Sequence, residues 1–92
     1  MKAWELLSSP ERWTQHVTAR DSNDVICLED DGKACSWCII GALRKCYQSR
    51  DRELSIWRDI KAAIGNQDVA DWNDAPERTH AEVLEILKRL DV

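Results

Sequence analysis

Apolar residues recur at helical spacing through much of this chain, and the most apolar run is Ala34-Cys35-Ser36-Trp37-Cys38-Ile39-Ile40-Gly41-Ala42-Leu43-Arg44-Lys45-Cys46. Ile39, Leu43 and Cys46 fall on one stripe and Cys38, Ala42 and Cys46 on its neighbour, which predicts a central helix from about Ala34 to Tyr47. Gly41 inside that helix costs about 1 kcal/mol relative to alanine, and the close approach of another backbone or of a Trp ring would account for it. On that basis Gly41→Leu is expected to destabilise by about 1–3 kcal/mol through overpacking.

Upstream, Ala3, Leu6 and Leu7 give a short amphipathic turn. Ser9-Pro10 restarts a helix as far as Gln15, serine accepting an orphan N–H and proline suiting the first helical position. From there the 3.6 period is lost. Two short β-prone runs, Gln15–Arg20 and Val25-Ile26-Cys27-Leu28, flank the polar Asp21-Ser22-Asn23-Asp24 and predict a hairpin or an extended arm over 15–28. Residues 29–33 form a loop. Downstream, Leu54, Trp57, Ile60 and Ile64 mark a further helix that stops at Gly65-Asn66. Val69, Ala70 and Trp72 suit one more turn. Thr79-His80-Ala81-Glu82 has capping-box spacing and opens a last helix with Val83, Leu84, Leu87 and Leu90 on its buried face. Lys88 and Arg89 complement the dipole at its end. The pattern therefore predicts a mainly α fold: one domain over 1–92, a small helical bundle in which the central helix is sandwiched by the 52–64 and C-terminal helices, with the 15–28 segment lying outside.

Composition narrows the function classes. At 92 residues, 43% hydrophobic and 33% charged, the chain reads as a soluble folded domain. There is no Phe, so five Trp and one Tyr supply the aromatic bulk. A net charge of −4 argues against a general affinity for nucleic-acid backbones. No stretch approaches the ~18 consecutive apolar residues of a membrane span, and Met1–Leu7 is too short and too soon charged for a signal peptide. The cytoplasm, with reduced cysteines, is the expectation.

Three pieces in order resemble one family: Trp13-Thr14-Gln15 followed by Ala19-Arg20-Asp21; Trp37-Cys38-Ile39-Ile40-Gly41-Ala42-Leu43; and Trp72-Asn73-Asp74 followed by Arg78-Thr79 and Glu82-Val83-Leu84. The chain resembles, from about Trp4 to Leu90, the small bacterial and phage proteins grouped as domain-of-unknown-function family 6197. The resemblance implies that Trp37-Cys38, Gly41 and Trp72-Asn73-Asp74 belong to a shared pattern and that Cys27, Cys35 and Cys46 do not. His16 departs from it, since a small residue, usually glycine, is typical there. No activity comes with the family.

Candidate chemistry centres on Cys35-Ser36-Trp37-Cys38. Its spacing suits a redox pair, with Cys35 activated if it opens a helix. It equally suits half a zinc site completed by Cys27 and His16; Cys46, about 12 Å further along the helix, is too far to join it. Against both, free cysteines on an apolar helix usually serve as small core residues. Histidine 80 reads as a surface residue. Asn73 and Asp74 with Arg78 suit a turn in which Asp74 pairs with the arginine, or, with an exposed Trp72, a recognition surface. Glu29, Asp30 and Asp31, together with Asp21 and Asp24, suit a solvated loop or, more sharply, a docking face for a basic partner or a mimic of nucleic-acid charge. No nucleotide motif or cofactor signature is present. The expectation is a non-enzymatic protein-interaction or regulatory module, borne by a phage or mobile element, with a thiol-redox or zinc protein using Cys35 and Cys38 as the alternative.

Overall fold

The computed structural model describes residues 1–92. In chain order it contains α1 (Ala3–Leu6), a 3-10 turn (Pro10–Arg12), β1 (Ala19–Asp21), β2 (Ile26–Cys27), β3 (Ala34–Trp37), α2 (Ile39–Cys46), α3 (Arg50–Ala63), α4 (Val69–Asp74) and α5 (His80–Leu90). Half the residues are helical, but the strands form a three-stranded antiparallel sheet of order β2-β1-β3. The expected helical bundle is thereby corrected to a helix-plus-sheet fold.

The correction originates at residues 34–37. These were expected to open the central helix, yet they pair with β1 in the register Ala19–Trp37, Arg20–Ser36 and Asp21–Ala34. Ala19 is fully buried, so the β1 backbone needs partners on both sides, and β3 supplies one of them. The hairpin predicted over 15–28 is present, with Ala19 opposite Cys27 and Arg20 opposite Ile26. It is not an outlying arm, because β1 is the middle strand. Its turn is closed by Asp21, whose Oδ1 accepts the N–H groups of Asn23 and Val25 at 2.8 and 3.0 Å. The expected Pro10–Gln15 helix shrinks to the single 3-10 turn.

Strand and helix meet at one residue. Cys38, extended at φ −78° and ψ 176°, caps α2 by accepting the Gly41 N–H on its sulfur at 3.3 Å. Its own N–H donates to the Thr18 carbonyl at 3.2 Å. A Cβ built on Gly41 would lie 2.0 Å from that same Thr18 oxygen. Backbone approach is therefore the reason for glycine within the helix.

α2 remains the centre of the core. Ile39, Ala42 and Leu43 are fully buried, and α2 packs against α1, α3 and α4. The C-terminal helix does not form the other half of a sandwich around it: α5 packs mainly on α1 and α3. Ile56 and Ile60 from α3, Val69 from α4, and Val83 and Leu87 from α5 fill the same cluster. Leu84 is only half-buried, and Ile86 takes its place on the buried face of α5. Helix ends follow local chemistry. Gly65 and Asn66 both adopt positive φ after α3, and Thr79 and Glu82 form a complete capping box at α5. No helix is long and apolar enough to cross a membrane.

Candidate functional site

Six of the residues that carried the family resemblance, Trp13, Thr14, Gln15, Ile39, Asn73 and Asp74, meet at the end of α4, where they lock three segments together. α4 is capped by Asp68, which accepts the Asp71 N–H at 3.0 Å, and it ends at Asn73-Asp74 before Ala75-Pro76. Asn73 is 1% exposed. Its Oδ1 accepts the Trp13 indole N–H at 2.9 Å and the Ile39 backbone N–H at 3.1 Å. Its Nδ2 donates to the Thr14 carbonyl at 3.2 Å and to Asp74 Oδ1 at 2.9 Å. The Gln15 amide donates to the carbonyls of Asn73 and Ala75 at 2.9 and 3.0 Å. Asp74 Oδ1 also accepts the His16 backbone N–H at 2.8 Å. The 13–16 segment, the start of α2 and the end of α4 are thus held by one amide whose hydrogen-bonding groups are all engaged.

This arrangement corrects three expectations. Trp72 is 7% exposed, not the exposed ring that the recognition surface called for; the Arg78 guanidinium lies 3.9 Å from its ring centroid. Asn73 and Asp74 end a helix and do not form a free turn. Asp74 does not pair with Arg78, which instead donates to the Trp72 carbonyl at 2.9 Å and to Glu82 at 3.0 Å. His16 has a φ of 74°, the left-handed region that favours glycine. That backbone gives a physical basis for the small residue the family resemblance carries there. His80, expected at the surface, is half-buried: its Nε2 lies 2.6 Å from the Leu7 carbonyl and its ring tilts against Trp13.

The sulfurs do not converge. All four cysteines are free. Cys38, not Cys35, sits at the helix start, 7% exposed. Burial pushes its thiol up from its ordinary value, outweighing the N–H groups of Gly41 and Ile40 that favour the thiolate. It lines a cavity of about 190 Å³ together with His16, Thr18, Arg44 and Asp74. Cys35 is exposed on β3 and lines a separate polar cleft with Glu11, Arg12, Asp21 and Asp24. Burial first, then the neighbouring Asp31 and Asp21 carboxylates, push the Cys27 thiol up. No three His, Cys, Asp or Glu side chains come together in a way that could hold a metal ion. Cys27, Cys35, Cys38 and His16 therefore do not form the zinc set that the spacing allowed, and Cys35 and Cys38 do not share one site.

One surface is left unused by the fold. The far edge of β3 is covered: Trp13 bridges Trp37, and the Thr14 N–H donates to the Trp37 carbonyl at 3.0 Å. The far edge of β2 is open. Along it Val25, Ile26 and Leu28 are 56%, 63% and 69% exposed, whereas nearly all other large aliphatic side chains are buried or half-buried. Acids stand at both ends of this run: Asp24 in the turn before it, then half-buried Glu29 and exposed Asp30 and Asp31 after it. The acidic loop was legible in the sequence. The exposure of the aliphatic run beside it was not, although Val25-Ile26-Cys27-Leu28 was visible as a β-prone segment.

Comparison with known families identifies the chain. The model of a family of unknown function (DUF6197) matches residues 1–90, and the chain belongs to that family. No curated protein and no solved structure matches it.

Proposed function

We propose that this DUF6197 member is a non-enzymatic protein-binding module that docks through the outer edge of its sheet, residues 25–28, and the acidic turns on either side. One observation carries the reading: the large aliphatic side chains of Val25, Ile26 and Leu28 stand exposed on and beside the edge strand β2, which has a neighbour on one side only. Exposed edges of this kind recruit other chains unless they are blunted. By contrast, Trp13, Trp37, Asn73 and Asp74 are consumed in holding the fold together.

The magnitudes indicate what else the interface needs. Fully burying an aliphatic side chain contributes about 1.5–3 kcal/mol, so covering the exposed parts of three contributes roughly 3–5 kcal/mol. A micromolar complex requires about 8 kcal/mol net of the cost of association. The apolar edge therefore does not suffice alone, and the flanking carboxylates or the strand backbone must add to it.

The test compares tagged wild-type protein with the triple variant Val25→Ser, Ile26→Ser, Leu28→Ser in cells that carry the gene. The expected result is a partner recovered stoichiometrically with wild type and lost from a variant of unchanged melting temperature. Recovery of the same partner by the triple variant would overturn the reading.

A further inference from the structure

The open edge has a defined hydrogen-bonding phase. The Asp21 N–H donates to the Val25 carbonyl at 2.9 Å, a single ladder bond that closes the hairpin at a bonded position, the Val25 N–H being taken by Asp21 Oδ1. In antiparallel strands bonded and non-bonded pairs alternate. Arg20–Ile26 is then the non-bonded pair, and both the N–H and the C=O of Ile26 point away from β1. Leu28, one residue past the end of β2, would share that phase if the strand were continued. Its carbonyl is occupied by the Asp31 N–H at 3.1 Å, which leaves its N–H to face outward. The Ile26 and Leu28 side chains project to one face, while Cys27 between them packs against the core. Backbone groups and apolar side chains thus repeat together with the two-residue period of a strand.

We infer that this edge accepts an extended, Lys- or Arg-bearing segment of a partner protein as a fourth strand beside β2. The inference rests on the protein-binding reading above and specifies its occupant. Charge selects that occupant. Asp24 lies at one end of the run, its side chain 86% exposed although its Oδ1 is 3.7 Å from Arg20 Nε, and Asp30 and Asp31, which form no ion pair, lie at the other and carry most of the negative charge. A second copy pairing antiparallel across the same edge would set the Asp24 end of one chain against the Asp30–Asp31 end of the other, acid facing acid. A basic segment meets opposite charge at both ends. Strand addition of this type draws affinity from main-chain bonds and specificity from alternate side chains.

The experiment uses the full chain, isotope-labelled for amide NMR, and three synthetic peptides of about ten residues. The first alternates valine and lysine. The second alternates valine and glutamate. The third is the valine–lysine peptide N-methylated at alternate residues, so that one edge cannot donate. The expected result is that the valine–lysine peptide shifts the Ile26 and Leu28 amides and slows their hydrogen exchange, with the other two peptides at least about tenfold weaker. Ile26→Pro, which removes an outward donor, should reduce binding to the same degree.

N-methylated and parent peptides of equal affinity would overturn strand addition. So would equal affinity of the acidic and basic peptides, or the absence of any response at 24–31. A concentration-dependent dimer that disappears in Ile26→Pro would assign the edge to a second copy and overturn the choice of partner. These outcomes are distinct from failure of the broader reading. Loss of the cellular partner in the serine triple variant but not in Ile26→Pro would keep the docking surface and reject the fourth strand.

Discussion

Replacing Gly41 by alanine separates two opposed effects, and the structure determines which is larger. On an open helix surface the substitution would stabilise by about 1 kcal/mol, because glycine is the poorer helix former by that amount. Here the new Cβ would lie 2.0 Å from the Thr18 oxygen and 2.9 Å from its carbonyl carbon. Both atoms are backbone at the start of the middle strand, so no side chain can swing aside. α2 must withdraw by more than an ångström to restore ordinary contact. That withdrawal strains the Cys38-to-Thr18 hydrogen bond at 3.2 Å, a loss of about 1 kcal/mol, and adds an overpacking cost of about 1–3 kcal/mol. Set against the propensity gain, the net expectation is destabilisation by about 1–3 kcal/mol. Urea unfolding followed by tryptophan emission measures it, and a thermal scan should show a midpoint lower by about 4–8 °C per kcal/mol. Gly32→Ala is the control, since nothing lies within 4 Å of its added Cβ, and it should change little. A Gly41→Ala protein as stable as wild type, or more so, would refute the close crossing of helix and strand.

Further outcomes follow from the other contacts. Asn73→Ala strands the Trp13 indole N–H and the Ile39 N–H; at about 1–3 kcal/mol for each buried donor left unpaired, urea unfolding should show a loss of roughly 2–6 kcal/mol, and a loss below about 0.5 kcal/mol would remove the amide from its central place. Alkylation near neutral pH, mapped by peptide mass spectrometry, should label exposed Cys35 first and buried Cys38 only on unfolding; rapid labelling of native Cys38 would restore the case for thiol chemistry. Glu82 is held below its ordinary value, first by the backbone N–H and hydroxyl of Thr79 and then by Arg78. Its folded pKa is depressed, so its contribution is present above the ordinary carboxylate range and is lost as pH falls through the folded value. Glu82→Gln should therefore be less stable than wild type near neutrality, with the gap closing as the medium is acidified below about pH 4; a gap independent of pH would refute the capping role.

The features legible in the sequence are those specified within a few residues. Thr79 and Glu82 announce α5 because a capping box is a local bond. Gly65-Asn66 ends α3 because positive φ is a local demand. The 21–24 turn is visible because aspartate closes it on its own backbone. Residues 34–37 misled because a short apolar run fits a strand as well as a helix; the choice was made by β1, which lies fifteen residues earlier and needed a second neighbour. Asn73 was taken for a turn residue because its partners lie some sixty positions away, at Trp13 and Thr14. Cys35 and Cys38 looked paired on spacing alone, until the strand-to-helix junction at Cys38 placed them in different cavities. The open edge was hidden for a similar reason, since the order of strands in a sheet is not written in any one of them.

Trp37 occupies an unusual position in this scheme. Its ring lies in the core opposite Ala19, while its indole N–H donates to the Glu29 carbonyl at 2.9 Å, just past the end of the open edge. Any molecule that settles on β2 and shifts residue 29 must disturb that bond, and indole emission responds to changes at its nitrogen. Occupancy of β2 is therefore expected to register in the emission of Trp37, one of five tryptophans in the chain, as the difference between wild type and a Trp37→Phe variant.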